Sequence, residues 1–296
     1  MGRSPQPAIA AITAPCERSA PVTAHPTSSP GPSWGPFALG DGPDACLLLH
    51  GLTGSPAEVR PLGEALARAG LRAVAPLLPG HGVPPEALLD VDRGDLYDAA
   101  HQALRDLREA RRVFVCGLSA GALLAIELCA RERLREGDPD VAAVALLAPA
   151  IRFRGNAWLL SSLVGRLPAL PLPILMPKGP RDLSGPEPGD SRSPGLRSDG
   201  SQGSVPLAWG RELRLLSQEA LALSRRVRAP ALICHGARDH TAALSGARLL
   251  AGTLASREVD LRVFERSGHL LPLDVEGPDV CAAVAEFFTR ARPEVR

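Results

Sequence analysis

The chain has 296 residues, enough to bury one large α/β core; 45% of them are hydrophobic, and aromatics supply only 3%. A formal net charge of +1 argues against a nucleic-acid groove or an anionic-membrane patch, and no stretch reaches the roughly 18 apolar residues of a membrane span. The six cysteines form no CxxC pair or zinc-like cluster, so buried free thiols in a reducing compartment are expected, with a cytoplasmic location as the default.

Residues 1–36 are rich in Pro, Ala and Ser, with too few large apolar groups to offset the entropy of ordering. They read as a disordered tail without the continuous apolar core of a secretory signal. A folded domain is expected over 37–296. Ala45–His50 is a short apolar run, hence a buried strand. Ser55-Pro56 supplies a helix start, Ala57–Ala69 carries Val59, Leu62, Leu66 and Ala69 at helical spacing, and Gly70 ends it. Leu71–Ala75 is strand-like, and Asp95–Ala110 is a helix with Leu96, Ala100, Leu104 and Leu107 on one face. Val113–Cys116, Ala120–Arg133 and Val141–Leu147 then read as strand, helix, strand.

Residues 151–226 interrupt the alternation and read as a cap insertion. Within it, Gly, Pro and Ser make up 16 of the 27 residues from Lys178 to Ser204, so a loop is expected there. A helix over Leu207–Arg226 follows, with Leu213, Leu216, Ala220 and Leu223 on one stripe. The alternation resumes at Ala231–His235, Ala242–Leu254, Leu261–Phe264 and Asp279–Arg290. Strands that are apolar throughout, separated by amphipathic helices, indicate an α/β fold: a mostly parallel open sheet with helices on both faces.

Gly117-Leu118-Ser119-Ala120-Gly121 joins a wholly apolar strand to an Ala/Leu-rich helix, the context a nucleophile elbow requires. A tight turn forces Ser119 into a strained backbone and demands small neighbours, and the helix N-terminus behind it favours developing negative charge. The bland alternative for the pentapeptide is a small-residue helix cap without chemistry. A serine hydroxyl also needs a base, oriented in turn by a third group. Of the seven histidines, His25 lies in the tail, and His101 lies within a helix as a surface or interface residue. His50, His81, His235, His240 and His269 sit at strand ends or in loops. His269 alone would read as structural; its place just after the last strand makes it the candidate base. Asp239, after the preceding strand, is the candidate orienting acid, and its alternative is a turn-forming residue. Asp260 stands at a strand start and Asp274 follows the histidine too closely. The order Ser119, Asp239, His269 is the chain order of the α/β-hydrolase triad. For an oxyanion hole the expected donors are the N–H of Ala120 and that of Leu52, in the glycine-flanked loop after the first long strand.

The run LLLHGLTGSPAEVRPLGEALARAG…PLLPGHG, with GLSAGA, GARDH and the SGH loop, resembles the bacterial carboxylesterases and monoacylglycerol-lipase-like enzymes of the α/β-hydrolase superfamily. The resemblance runs from about Phe37 to Phe288. It implies an open sheet with a small cap, carries Ser119, Asp239 and His269 over as a triad, and supports Leu52 and Ala120 as oxyanion donors. Leu96 stands where these enzymes often have a tryptophan. The expected activity is hydrolysis of small-molecule carboxylic esters through an acyl-enzyme, needing neither metal nor organic cofactor. The apolar residues Leu52, Trp158, Leu159, Leu163 and Leu213 suggest an apolar acyl chain. A thioesterase, lactonase, amidase, C–C hydrolase or perhydrolase would use the same triad. A non-catalytic binding protein on this fold is the reading from another class, and reaction of the serine with a fluorophosphonate separates it from the enzymes.

Overall fold

The computed structural model describes residues 33–131, 137–154, 174–178, 182–185 and 195–291, all within the unit Pro32–Arg296. The tail up to residue 32, and Trp158, Leu159 and Leu163, lie outside these described residues.

Seven strands form one sheet in the order β1-β3-β2-β4-β5-β8-β9. They are β1 (Phe37–Leu39), β2 (Asp44–Leu49), β3 (Arg72–Ala75), β4 (Arg112–Leu118), β5 (Val141–Leu147), β8 (Ala231–Gly236) and β9 (Val259–Phe264). Only β1 runs antiparallel, paired to β3. Every residue of β2 and β8 is buried, because helices cover both faces. Alternate residues of each central strand therefore enter different cores. Leu47, Leu49, Val115, Leu146 and Ile233 face one way, with α2 (Arg93–Arg105), α3 (Ala120–Arg131), α4 (Trp209–Leu223) and α5 (Leu244–Ala251). Cys46, Leu48, Phe114, Cys116 and Cys234 face the other, with α1 (Arg60–Arg68) and α6 (Gly277–Arg290). Each large apolar side chain fully withdrawn from water in these layers contributes about 1.5–3 kcal/mol.

Most predicted elements are present with shifted ends. The first predicted helix starts with a short 3-10 turn, Pro56–Val59, whose cap Ser55 accepts the N–H of Ala57. The next helix begins earlier than expected, at Arg93, because Asp92 and Asp95 form a reciprocal capping box. The chain then leaves the helix after Arg105, yet Leu107 still reaches the core. The short edge strand β1 was not expected, having no apolar run to announce it. Nor was the hairpin of β6 (Leu175–Pro177) and β7 (Ser204–Pro206), whose strands flank the expected loop on either side. The helix expected at Leu207–Arg226 is α4. It lies against α3 in the face layer, where Leu216 and Ala220 join the core.

His101, expected at the surface or an interface, is buried within the fold: its Nε2 lies 2.8 Å from Asp138 Oδ2 and its ring stacks on Tyr97. Cys46, Cys116, Cys129, Cys234 and Cys281 are all free and buried. Among the described residues no helix is long and apolar enough to cross a membrane.

Candidate active site

The strands β2, β4, β8 and β9 each end just before one part of the predicted constellation. Leu52 follows β2, Ser119 follows β4, Asp239 follows β8 and His269 follows β9. All four therefore emerge at the C-terminal edge of the parallel sheet, where α/β proteins bind their ligands.

Leu118 closes β4 and Ala120 opens α3, so Ser119 alone turns the chain, and it does so at φ +56°. That left-handed backbone costs a non-glycine residue on the order of 1–3 kcal/mol. The surrounding structure enforces it, with the Ser119 N–H donating to Leu147 O at 2.8 Å. A Cβ on Gly117 would lie 2.1 Å from Gly121 O, and one on Gly121 only 2.3 Å from Leu49 O. Strand and helix touch through their backbones here, and a larger residue would force them apart.

Asp239 is 1% exposed. Its Oδ1 accepts the N–H groups of Thr241 at 2.8 Å and Ala242 at 2.7 Å, and its Oδ2 lies 2.8 Å from His269 Nδ1. A carboxylate there makes Nδ1 the protonated nitrogen of His269 and leaves Nε2 as the proton acceptor. Burial opposes the charged form of His269. The charge and hydrogen bond of Asp239, with the carboxylates of Asp182 and Glu58, outweigh that and raise the imidazole above its usual range. For Asp239, burial likewise opposes the charged form, and its bond to His269 and its main-chain donors carry it below the usual carboxylate range. His235 Nε2 sits 3.2 Å from Ala242 O and 3.5 Å from Asp239 Oδ2, so the acid lies between two imidazoles. Burial holds His235 below the usual histidine range.

The loop after β2 is fixed by two histidines. His81 Nε2 accepts the Thr53 N–H at 2.9 Å while its Nδ1 donates to Pro79 O at 2.8 Å. His50 Nδ1 donates to Gly51 O at 2.9 Å and its Nε2 accepts the Leu78 N–H at 3.1 Å. The two rings meet edge-on with centroids 4.9 Å apart. Each ring uses one nitrogen as donor and the other as acceptor, so both must be neutral. Thr53, at φ +63°, also takes a hydrogen bond from Lys178 Nζ and donates from Oγ1 to Leu52 O at 2.5 Å. Glu58 accepts the Gly51 N–H at 3.2 Å. The orientation of the Leu52 peptide is thus set by bonds on either side of it.

Burial, helped by the neighbouring His81, depresses His50 to about 3, and burial depresses His81 to about 4. Between pH 6.5 and about 4.5 the unfolded chain binds both protons and the folded chain binds neither, so stability falls as pH falls. In denaturant unfolding at a series of pH values these two rings should contribute a slope of about 3 kcal/mol per pH unit near pH 5. A flat stability profile there would mean that these rings take up protons in the folded state, so that their Nε2 atoms are not held as acceptors.

The other aspartates divide clearly. Asp260 is half exposed on β9 and pairs with Arg262 at 2.8 Å. Asp274 is buried, and its carboxylate accepts the N–H groups of Gly268 at 2.6 Å, Ser184 at 2.9 Å and Gly185 at 3.0 Å. No role was expected for His50, His81, Glu58 or Asp182. The glycines beside His50 and His81 are the one local sign that these rings lie against backbone. Leu213, expected in the substrate lining, packs partly buried against the helical core. Among the described residues no three His, Cys, Asp or Glu side chains are grouped as a metal ion requires.

A nearly all-parallel sheet with a serine at its central elbow and an Asp–His pair on neighbouring strand ends is the architecture of the α/β-hydrolases. The chain belongs to the family described as "Serine aminopeptidase, S33", which it matches over residues 43–276, and it is a hydrolase of the lipase and esterase kind. It is 29% identical over 259 residues to a thermostable monoacylglycerol lipase of Bacillus sp. (strain H-257), covering 86% of this chain and 94% of that one. A carboxylesterase of Bacillus subtilis (strain 168) is 24% identical over 257 residues, covering 86% and 96%. Among solved structures, a chain from work on the metagenome-derived lipolytic enzymes LipS and LipT superposes with a TM-score of 0.75 at 24% identity, covering 88% of this chain and 98% of that one. The monoacylglycerol lipase of Paleococcus ferrophilus superposes with a TM-score of 0.70 at 19% identity, covering 87% and 98%.

Proposed function

We propose that this protein hydrolyses carboxylic esters of apolar acyl chains through an acyl-enzyme on Ser119. The observation that carries the reading is the buried 2.8 Å bond between Asp239 and His269, at the sheet edge where Ser119 is turned out at φ +56°. Ser119 Oγ attacks the ester carbonyl carbon as His269 Nε2 takes its proton, and the carbonyl electrons move onto oxygen. The N–H groups of Ala120 and Leu52 receive that oxyanion, each donor being worth about 3 kcal/mol to the transition state. Collapse breaks the bond to the alcohol, which departs with the proton held by His269. Water, deprotonated by the same imidazole, then attacks the acyl carbon, and the acid leaves as Ser119 regains its proton.

The Bacillus relatives, a monoacylglycerol lipase and a carboxylesterase, support an ester as the bond cleaved. The partly buried Leu52 beside the elbow supports an apolar acyl group. The test is a panel of p-nitrophenyl esters from acetyl to lauroyl, run beside monoacylglycerols, an acyl thioester and aminoacyl p-nitroanilides. Esters of medium chain should show kcat/KM at least roughly tenfold above acetate, as added methylenes fill an apolar site. Preference for the thioester or for an aminoacyl anilide would overturn the reading.

A further inference from the structure

We propose that Asp182, in the segment between β5 and β8, is a positioning residue that fixes the loop of Asp239 against the loop of His269; this rests on the triad reading above. Its side chain holds the first loop: Oδ2 accepts the N–H of His240 at 2.7 Å and the hydroxyl of Thr241 at 2.8 Å. Thr241 in turn donates its own N–H to Asp239. Its main chain holds the second: the Asp182 carbonyl accepts the N–H of His269 at 2.9 Å and of Leu270 at 3.3 Å. A Cβ on Gly268 would lie 2.8 Å from both Asp182 O and Oδ1, so the approach needs glycine at that position. Two residues further on, the N–H groups of Ser184 and Gly185 dock on Asp274, which also takes the N–H of Gly268.

The physical need is plain. Asp239 and His269 stand on loops that overhang two adjacent strands; the sheet fixes the bases of those loops, and one main-chain bond, from Arg238 N–H to Ser267 O at 3.0 Å, joins them before either side chain is reached. Misplacement of reacting groups by about 1 Å can cost roughly 100-fold in rate, so a residue bonded to both loops removes the motion that matters. The same stretch reaches the other half of the site. Lys178, the only lysine in the chain, lies four residues before Asp182 and bonds Thr53 beside Leu52.

Fluorophosphonate labelling provides the test, because Ser119 Oγ displaces fluoride from phosphorus with its proton passing to His269, whatever substrate the enzyme prefers. The second-order labelling rate is followed against pH for wild type, Asp182→Asn and Asp182→Ala, with thermal unfolding recorded alongside. The groups facing His269 are Asp239 and His235 from β8 and its loop, Glu58 from the turn after β2, and Asp182; Asp274 binds the adjacent Gly268. Asp182→Ala should label roughly 10- to 100-fold more slowly. Asp182→Asn, which keeps an acceptor but loses the charge, should move the acid limb to lower pH. A folded Asp182→Ala within twofold of wild type, with its acid limb unmoved, overturns the proposal. Should that variant fail to fold, an unmoved limb in Asp182→Asn overturns it instead. Wild type that labels but cleaves no ester sinks the substrate reading and leaves this test standing, whereas wild type that never labels sinks both.

Discussion

Replacing Ser119 with alanine is expected to lower kcat for p-nitrophenyl ester hydrolysis by roughly 10⁵- to 10⁶-fold, the scale on which a serine triad loses its nucleophile. The residual rate would come from substrate binding and the oxyanion donors acting on water. The fold should survive, because the Ser119 N–H, not its hydroxyl, bonds Leu147. Glycine at the same position separates chemistry from stability. Ser119→Gly should be as inactive as the alanine variant yet more stable by about 1 kcal/mol, since φ +56° is strained for any residue with a Cβ. Initial rates and thermal unfolding of the three proteins decide the matter. Alanine turnover near the wild-type rate would remove Ser119 from the mechanism altogether.

The second large effect belongs to the acid. Asp239→Asn should reduce kcat by about 10⁴-fold, the loss expected when an imidazole is held in the wrong tautomer. The new side chain can keep its carbonyl on the N–H groups of Thr241 and Ala242, so the loop retains its shape. Its NH₂ then faces His269 Nδ1, which must become an acceptor, and the proton moves to Nε2, where the serine needs a base. The imidazolium formed during attack also loses the charge that most favours it against burial. Asp260→Asn is the matched control: its carboxylate pairs with Arg262 on β9, and activity should be unchanged. Equal losses from the two variants would mean that the acid has been misassigned.

The parts of this molecule legible in its sequence are those where burial dictates residue type. Strands β2, β4, β5 and β8 lie between two helical layers, so their polar residues stand near the strand ends (Asp44, Arg112, His235) and the rest of each reads as an apolar run. Ser119 follows such a run at once and Asp239 stands three residues beyond another, whereas His269 follows the half-buried edge strand β9 by five residues and stands out only by its place after the last strand. The edge strand β1 is three residues long with a half-buried pattern, which leaves no periodicity to read. His50 and His81 are illegible for a different reason. Their partners are the main-chain N–H groups of Leu78 and Thr53, each 28 residues distant, and an N–H has no signature in a sequence. Asp182 and Asp274 escape in the same way, as acceptors of backbone donors from loops that meet only once the sheet has formed. His101 shows the opposite failure. Its place in the helix was read correctly, but the Asp138 that allows it to be buried lies beyond the next strand and helix.

Four of the buried cysteines carry a consequence for the lifetime of the protein. Cys46, Cys116 and Cys234 stand on three strands of the same face, with Cys281 on the helix above them. Burial pushes the Cys234 thiol up to about 12 and the Cys281 thiol up to about 11, so in the native state none of these offers a thiolate to an oxidant. Once the sheet opens, all four meet water together at their ordinary acidity. Oxidation or cross-linking at that moment would block the layer from closing again. Ageing in air should therefore proceed at the pace of unfolding, and a reductant should lengthen the working life of the preparation without altering the native enzyme.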